Sequence, residues 1–255
     1  MAGGAWGRRF VDVSRDLAST AEFAQRGPLE RQTLQDAPRG FLRRLSGGER
    51  AALRLLGRET RLPAGSVFMF QGDVVERVMI LSSGHAKLTR ISSTGCESLL
   101  SIRDPGDLIG HEATTEGARH NATATALTTI DALVISRAAF VAHLDRSPRL
   151  LLAILQAVSE EHTELAARWA DHAGLDTLGR VASCLTELVD RYGRPHDHGT
   201  AIALPILQDD LVAWTGASRA GTTKALQALR ELGWIRTGRG QIVITNAHAL
   251  RQRAA

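Results

Sequence analysis

Ser218-Arg219-Ala220-Gly221-Thr222-Thr223-Lys224 is the stretch of this chain whose residue types and spacing can do chemistry. A serine at such a position can cap a helix by accepting a backbone N–H from the first turn. The outward residues that would follow it, Arg219, Ala220, Thr222, Thr223 and Lys224, are all short or basic. A helix that opens this way suits a DNA major groove: arginine can pair with guanine O6 and N7, while Ser, Thr and Lys can hold phosphates. Further on, Arg239 stands between Gly238 and Gly240 in a segment, 234–244, that reads as two strands around a tight turn. A cation at that tip is placed for a phosphate or a minor groove. The alternative is a structural helical hairpin with a solvated basic face.

Those side chains need elements to position them. Residues 208–214 read as a short helix with Leu211, Val212 and Trp214 inward, closed by Thr215 and Gly216. The next helix, 219–232, turns Ala225, Leu226, Leu229 and Leu232 inward. Helix, tight turn, helix and hairpin make a helix-turn-helix plan. Upstream, 177–192 reads as a helix with Val181, Leu185, Leu188 and Val189 on one face, and 193–200 reads as a loop by composition. His196 and His198 in that loop have no further ligand nearby and read as solvated residues rather than a metal site. Ser147 followed by Pro148 marks the start of a long amphipathic helix, about 148–172, on which Leu151, Ile154, Val158, Leu165 and Trp169 keep a three-to-four spacing, with Gly174 as its stop. Leu151, Val158, Leu165 and His172 recur every seven residues, as a coiled-coil seam would. The same periodicity serves a helix packed on its own domain.

Between Arg61 and Ser136 the rhythm is different. Short runs rich in Val, Ile, Leu and Thr are punctuated by Gly65, Gly72, Gly84, Gly95, Gly106 and Gly110. This pattern indicates an all-β sandwich or barrel, with candidate strands at 67–70, 78–81, 86–91, 98–102, 122–126 and 129–135. One short helix is expected over 47–57, with Ala51, Leu53, Leu55 and Leu56 as its apolar positions. Residues 1–40 have no clean period, carry Pro28 and Pro38 as breakers, and read as an extension that is partly helical at best.

With 255 residues, 44% hydrophobic and 23% charged, the chain has ordinary globular composition and room for two compact units. No apolar run approaches the ~20 residues of a membrane span, so the expectation is a soluble, cytoplasmic protein without membrane partners. Cys96 and Cys184 are far apart and outside any CxxC, which leaves a disulfide framework or a cysteine-ligated metal unsupported. The formal charge of +4 is unevenly spread. From residue 211 onward seven basic residues face the single acid Glu231, a net +6, so the rest of the chain sums to −2. A basic terminal module on a nearly neutral body points to a polyanionic partner. Asp209 and Asp210 oppose phosphates locally.

In the barrel region Pro63-Ala-Gly65, Gln71-Gly72-Asp73, Leu81-Ser-Ser-Gly84 and Asp104-Pro-Gly-Asp-Leu-Ile-Gly110 follow one another. In the terminal module Asp209-Asp210-Leu211, Gly216-Ala-Ser-Arg219 and Leu-x-x-Leu-Arg-Glu-Leu-Gly follow in turn. This ordered series, with a long helix between its halves, resembles the bacterial cyclic-AMP receptor protein and fumarate–nitrate regulator (Crp/Fnr) family of transcription factors over about 41–250. The resemblance implies an α+β chain: an extension (1–40), a jelly-roll β-barrel of cyclic-nucleotide-binding type (41–136), a long dimerisation helix (137–173) and a winged helix-turn-helix (174–255). It implies a homodimer with Leu151, Ile154, Val158, Leu165 and Trp169 along the seam. It also implies reading of double-stranded DNA as an inverted repeat by Arg219, Thr222 and Lys224, with Gln208 and Ser218 on flanking phosphates and Arg239 on the wing. RNA polymerase would be a partner if the protein activates.

The effector pocket departs from the family pattern. After Gly110, cyclic-nucleotide-binding members carry a glutamate for the ribose and later an Arg-Ser pair for the cyclic phosphate. His111 and His120-Asn121 stand there instead. Glu112 is displaced by one place, which on a strand would swing it to the opposite face, and Arg119 is one place early. A neutral histidine and an amide cannot give bidentate phosphate recognition. The polar pair that touches the purine in relatives aligns with Leu165 and Ala166, which cannot hydrogen-bond a base. Cyclic AMP is therefore not expected to bind in the family's usual way; re-registration of Arg119 and Glu112 is the alternative. No cofactor is expected, and no effector is identified. In the reading helix many relatives carry Arg-Glu where this chain has Arg219-Ala220; without that acid one base position should be relaxed or changed.

Other function classes find little support. Jelly rolls that host oxygenases need a His-x-His set, and His85, His111 and His120 lack that spacing. His111-Glu112 lacks a histidine three residues on, and there is no Gly-x-Ser-x-Gly elbow or phosphate loop. Neither catalytic residues nor a metal site are expected. An interaction module that has lost DNA binding would not need its basic residues grouped at the reading helix and wing.

Overall fold

The structure, a computed structural model, describes residues 40–238 and 240–254. Residues 1–39, nearly all of the expected extension, and Arg239 at the hairpin tip lie outside the described residues. The chain divides into two compact units, one comprising residues through Arg90 with Ser101–Glu160, the other Ile91–Leu100 with Glu161–Ala255.

The first unit starts with a 3-10 turn, Phe41–Arg44, that buries Phe41 and Leu42. Ser46 then opens α1 (Gly47–Leu56): its Oγ accepts from Glu49 N, and the Glu49 carboxylate accepts from Ser46 N at 2.7 Å. This reciprocal box satisfies two donors of the first turn. The strands are β1 (Gly57–Leu62), β2 (Val67–Met69), β3 (Arg77–Ser83), β4 (Ala86–Ile91), β5 (Glu97–Arg103), β6 (Leu108–Ile109), β7 (Thr123–Ala126) and β8 (Ile130–Ser136). They form two four-stranded sheets, β1-β8-β3-β6 and β2-β7-β4-β5, the eight-strand arrangement of a jelly roll. Ile80 pairs with Leu133 and Val78 with Ile135 at the centre of the first sheet. Gly84 carries φ +77° at the β3–β4 turn, and a Cβ there would sit 2.2 Å from Thr129 O; no other residue fits.

Strand β1 escaped the sequence reading because only Leu62 of its six residues is buried. It is an edge strand whose single neighbour is β8. Helices α2 (Arg137–Leu144) and α3 (Pro148–Gly174) follow β8. Gly174 lies within α3 instead of stopping before it. Phe140, Leu144, Leu150, Ala153 and Ile154 join Phe41, Leu53, Val78, Ile80 and Ile135 in one core. Ile154 is therefore core and not part of an exposed seam: three residues on from Leu151 is a rotation of about 60° around the helix, enough to turn Ile154 inward.

In the second unit Asp176 caps α4 (Thr177–Tyr192), accepting from Gly179 N at 2.8 Å. The stretch expected as a loop after it is a hairpin, β9 (Gly193–His196) and β10 (Gly199–Ile202). Its outer strand is exposed throughout, so composition carries no strand signal; backbone pairing with β10 makes the strand. There follow α5 (Gln208–Thr215), α6 (Arg219–Glu231), β11 (Ile235–Gly238), β12 (Gln241–Ile244) and α7 (Ala247–Arg253), with the sheet ordered β11-β12-β10-β9. Val181, Leu185, Leu188, Leu211, Trp214, Leu226, Leu229, Ile235 and Leu250 are buried. Arg251 and Arg253 of α7 pair with Asp190 and Asp176 of α4. No helix among the described residues is long and apolar enough to cross a membrane.

Candidate nucleic-acid interface and effector pocket

The turn between α5 and α6 is set by three residues. Gly216 takes φ +64°, and its N–H reaches Val212 O at 3.0 Å. Thr215 Oγ1 donates to Leu211 O at 2.8 Å, closing α5. Ser218 Oγ then accepts from Gly221 N at 3.0 Å and starts α6. One face of α6 buries Ala225, Leu226 and Leu229. Leu232, expected on that face, lies past the last helical turn and is 53% exposed.

At the start of α6 the structure brings together Ser218, Arg219, Ala220, Thr223 and Lys224 as exposed residues, with Gln208 exposed at the start of α5. Thr222 is the exception. It is fully buried, and its Oγ1 has no hydrogen-bond partner among the described residues. It precedes Ala225 and Leu226 by three and four places, so helical geometry puts it on the inner stripe; it cannot face a phosphate. Asp210 is also inward, 3% exposed, with its Oδ2 accepting from Leu207 N at 2.9 Å. It caps α5 instead of opposing phosphates. Asp209 stays outside, with Oδ1 2.6 Å from Arg219 Nη2, a pairing that sequence spacing did not reveal. Gln208 Nε2 donates to Thr223 Oγ1 at 2.6 Å. Arg230 Nη1 donates to Thr237 Oγ1 at 3.2 Å, tying α6 to the hairpin, on which Arg236 is exposed.

On α3 the expected seam residues have different environments. Leu151 and Trp169 are 51% and 81% exposed, Leu165 and Val158 are half-buried, and Ile154 is in the core. Leu155, one turn after Leu151, is 63% exposed; the seven-residue count passed over it.

The pocket region starts at Gly110, which takes φ +87° where a Cβ would lie 3.0 Å from Arg77 O. His111–Thr114 is a 3-10 turn, so the strand-face argument for Glu112 does not apply; its carboxylate instead accepts from Asn121 N at 3.3 Å. Arg119 Nη1 donates to Gly72 O at 2.7 Å. His120 is buried, its backbone bonded to Asp73 and Gly72. That burial holds its imidazole below the usual histidine range; Arg77 adds to the shift, while Glu112 and Asp73 oppose it. Arg90 Nη1 donates to Asn121 O at 2.7 Å, a basic neighbour 31 residues away that no local motif marks. Arg137 fixes the turn by donating to Ala113 O and Thr115 O. The imidazole of His120 and the amide of Asn121 lack the forked donor pair with which a guanidinium grips a phosphate. Leu165 is half-buried and Ala166 exposed on α3, neither with a side chain able to read a base edge. No group of three or more His, Cys, Asp or Glu among the described residues could hold a metal ion.

Residues 59–147 match the family model described as a cyclic nucleotide-binding domain, and residues 179–253 match that of a Crp-like helix-turn-helix domain. The chain belongs to the Crp/Fnr family of transcriptional regulators. A CRP-like cAMP-activated global transcriptional regulator of Mycobacterium tuberculosis is 26% identical over 211 residues, 82% of this chain and 94% of the relative. A global nitrogen regulator of Synechocystis is 28% identical over 212 residues, 79% of this chain and 93% of the relative. Among solved structures, the c-di-GMP responsive global regulator CLP of Xanthomonas campestris superposes with a TM-score of 0.70 at 20% identity, covering 78% of this chain and 99% of that one. This Crp/Fnr protein is thus a regulator with a β-sandwich domain of cyclic-nucleotide-binding type and a DNA-binding helix-turn-helix domain.

Proposed function

We propose that this Crp/Fnr protein is a cytoplasmic homodimer that reads an inverted-repeat operator and is not gated by cyclic AMP in the family's usual way. The observation that carries the DNA reading is the exposed cluster Ser218, Arg219, Ala220, Thr223 and Lys224 on the first turns of α6, backed by the buried stripe from Thr222 to Leu229. Arg219 reads guanine, Ala220 offers a methyl to thymine, and Gln208, Ser218 and Lys224 hold phosphates. Arg239, by its place in the sequence between Gly238 and Gly240, adds a wing contact. The exposed Leu151, Leu155 and Trp169 support a dimer along α3. Two reading helices then enter successive major grooves about 34 Å apart. Residues 41–136 serve as the effector-type domain, 137–173 as the dimerising segment and 174–255 as the DNA module. RNA polymerase is the expected further partner if the protein activates.

The misfit of His120 and Asn121 to a cyclic phosphate supports control by another effector, by a partner protein, or none. Relatives of comparable similarity are named for cAMP activation in one case and nitrogen regulation in another, so kinship does not fix the signal. The match over 59–147 to a cyclic nucleotide-binding domain favours a second reading, in which Glu112 beside Asn121 restores a nucleotide site. Calorimetric titration with cyclic AMP decides: no heat at micromolar ligand is expected, and micromolar affinity establishes the second reading. For DNA, Arg219→Ala should cost about 1–3 kcal/mol on the preferred site and little on random duplex. Equal losses on both would show a phosphate contact only.

A further inference from the structure

Arg219 is not a lone cation at the edge of the reading surface. Its Nη2 lies 2.6 Å from Asp209 Oδ1, with the two side chains 69% and 50% exposed. Beside this pair, Gln208 Nε2 donates to Thr223 Oγ1 at 2.6 Å, and that hydroxyl donates on to Arg219 O at 2.8 Å. Two successive residues at the start of α5 thus hold two residues one turn apart at the start of α6. Ion pairs this exposed contribute little to folding. The packing of α5 and α6 rests instead on buried Leu211, Trp214, Leu226 and Leu229.

We propose that Asp209 is a specificity-determining residue of the DNA-reading surface, holding the Arg219 guanidinium for base readout and opposing phosphates wherever the bases do not match. The inference rests on the DNA-binding reading above. Two physical effects support it. A guanidinium has five N–H donors in a fixed fork; one edge engaged by a carboxylate leaves donors for guanine O6 and N7 and removes rotamer freedom that binding would otherwise have to quench. Non-specific binding, by contrast, consists of phosphate contacts. A free Arg219 can swing to a phosphate on any sequence, whereas a paired one must leave its carboxylate beside the polyanion to do so. Asp209 therefore lowers binding to random DNA more than binding to the operator.

The test is fluorescence anisotropy of the full chain on its selected operator and on a scrambled duplex, over a range of salt concentrations, for wild type, Asp209→Asn and Asp209→Glu. For Asp209→Asn the ratio of operator to scrambled affinity should fall about tenfold, a 1.4 kcal/mol loss of discrimination, mainly through tighter binding to scrambled duplex. Asp209→Glu should keep most of the discrimination, and in an Arg219→Ala background Asp209→Asn should tighten both duplexes equally. A wild type that discriminates alongside an Asp209→Asn variant with an unchanged ratio would overturn the role of Asp209 and leave the DNA reading standing. An undiminished effect of Asp209→Asn in the Arg219→Ala background would also overturn it. A wild type that does not discriminate at all would overturn the DNA reading itself.

Discussion

The Arg168 guanidinium lies 4.9 Å from the centre of the Trp214 ring. It is also a junction: Nη1 donates to Leu100 O of β5 at 2.7 Å and Nη2 pairs with Glu187 of α4 at 3.0 Å, with only 12% of the side chain exposed. One side chain of α3 therefore ties together Leu100, Glu187 of α4 and Trp214 of α5, all within the second unit.

Arg168→Ala should lower the unfolding free energy by about 1–3 kcal/mol, the range for a desolvated cation–π contact plus hydrogen bonds to a charged donor. Arg168→Lys should recover only part, because an ammonium cannot stack flat on the ring and bridge two acceptors together. Urea unfolding of the three proteins checks this; a midpoint unmoved by Arg168→Ala would show that the junction carries no energy.

Thr222→Val should leave DNA affinity unchanged and stability unchanged or raised by up to about 1 kcal/mol. The buried Oγ1 has no partner among the described residues, and exchanging an unsatisfied buried hydroxyl for a methyl of the same shape removes a desolvation cost. A tenfold loss of operator binding would instead return Thr222 to the DNA surface.

Gly216→Ala and Gly84→Ala should differ sharply. At Gly216 a Cβ meets nothing within 4 Å, so the cost is the left-handed backbone alone, about 1–2 kcal/mol. At Gly84 the same strain is joined by a clash with Thr129 O. Thermal unfolding should rank Gly84→Ala well below Gly216→Ala, and equal shifts would contradict the turn geometry.

Stability should fall as pH drops below about 6.5. His120 and His172 both have their ionisation lowered by burial. The unfolded chain then binds more protons than the folded one, and stability rises with pH through this window. The penalty begins near the unfolded value and is complete below the folded one. Urea midpoints at about pH 7.5 and pH 5.5 should differ, and His120→Gln should shrink the difference; an unaltered difference would assign it elsewhere.

The parts legible in the sequence are those where one periodicity dominates. Thr177–Tyr192 is recovered to the residue because Val181, Leu185, Leu188 and Val189 form a single apolar stripe between clear caps. Six strands of the first unit are legible from β-branched runs between turn glycines, and β11 and β12 from their Gly-Arg-Gly turn, whereas β1, β6, β9 and β10 are not: β1 and β9 are edge strands with almost no buried side chain, β6 has only two residues, and β10 buries only its last two. At the start of α6 the residue types mark an exposed polar face but not its phase: Thr222 looks like a phosphate ligand by type and is core by position. Asp209 and Asp210 look alike, yet one caps α5 and the other holds Arg219. Neighbouring side chains from two helices decide such roles, and spacing along one helix cannot show them. The 3-10 turn at His111 likewise stands where the sequence suggests extended backbone, so a one-place displacement of Glu112 does not move it to an opposite strand face.

The exposed start of α6 and the exposed apolar residues of α3 lead to the proposal of a ligand-free dimer that reads an inverted repeat. Its most direct test is selection of genomic fragments by the purified full-length protein at about 150 mM salt, with and without cyclic AMP. Enrichment of an inverted repeat with half-sites one helical turn apart, unchanged by cyclic AMP, is the predicted result. Enrichment only in the presence of cyclic AMP would contradict the account, and would restore Glu112 and Arg119 to a working nucleotide site.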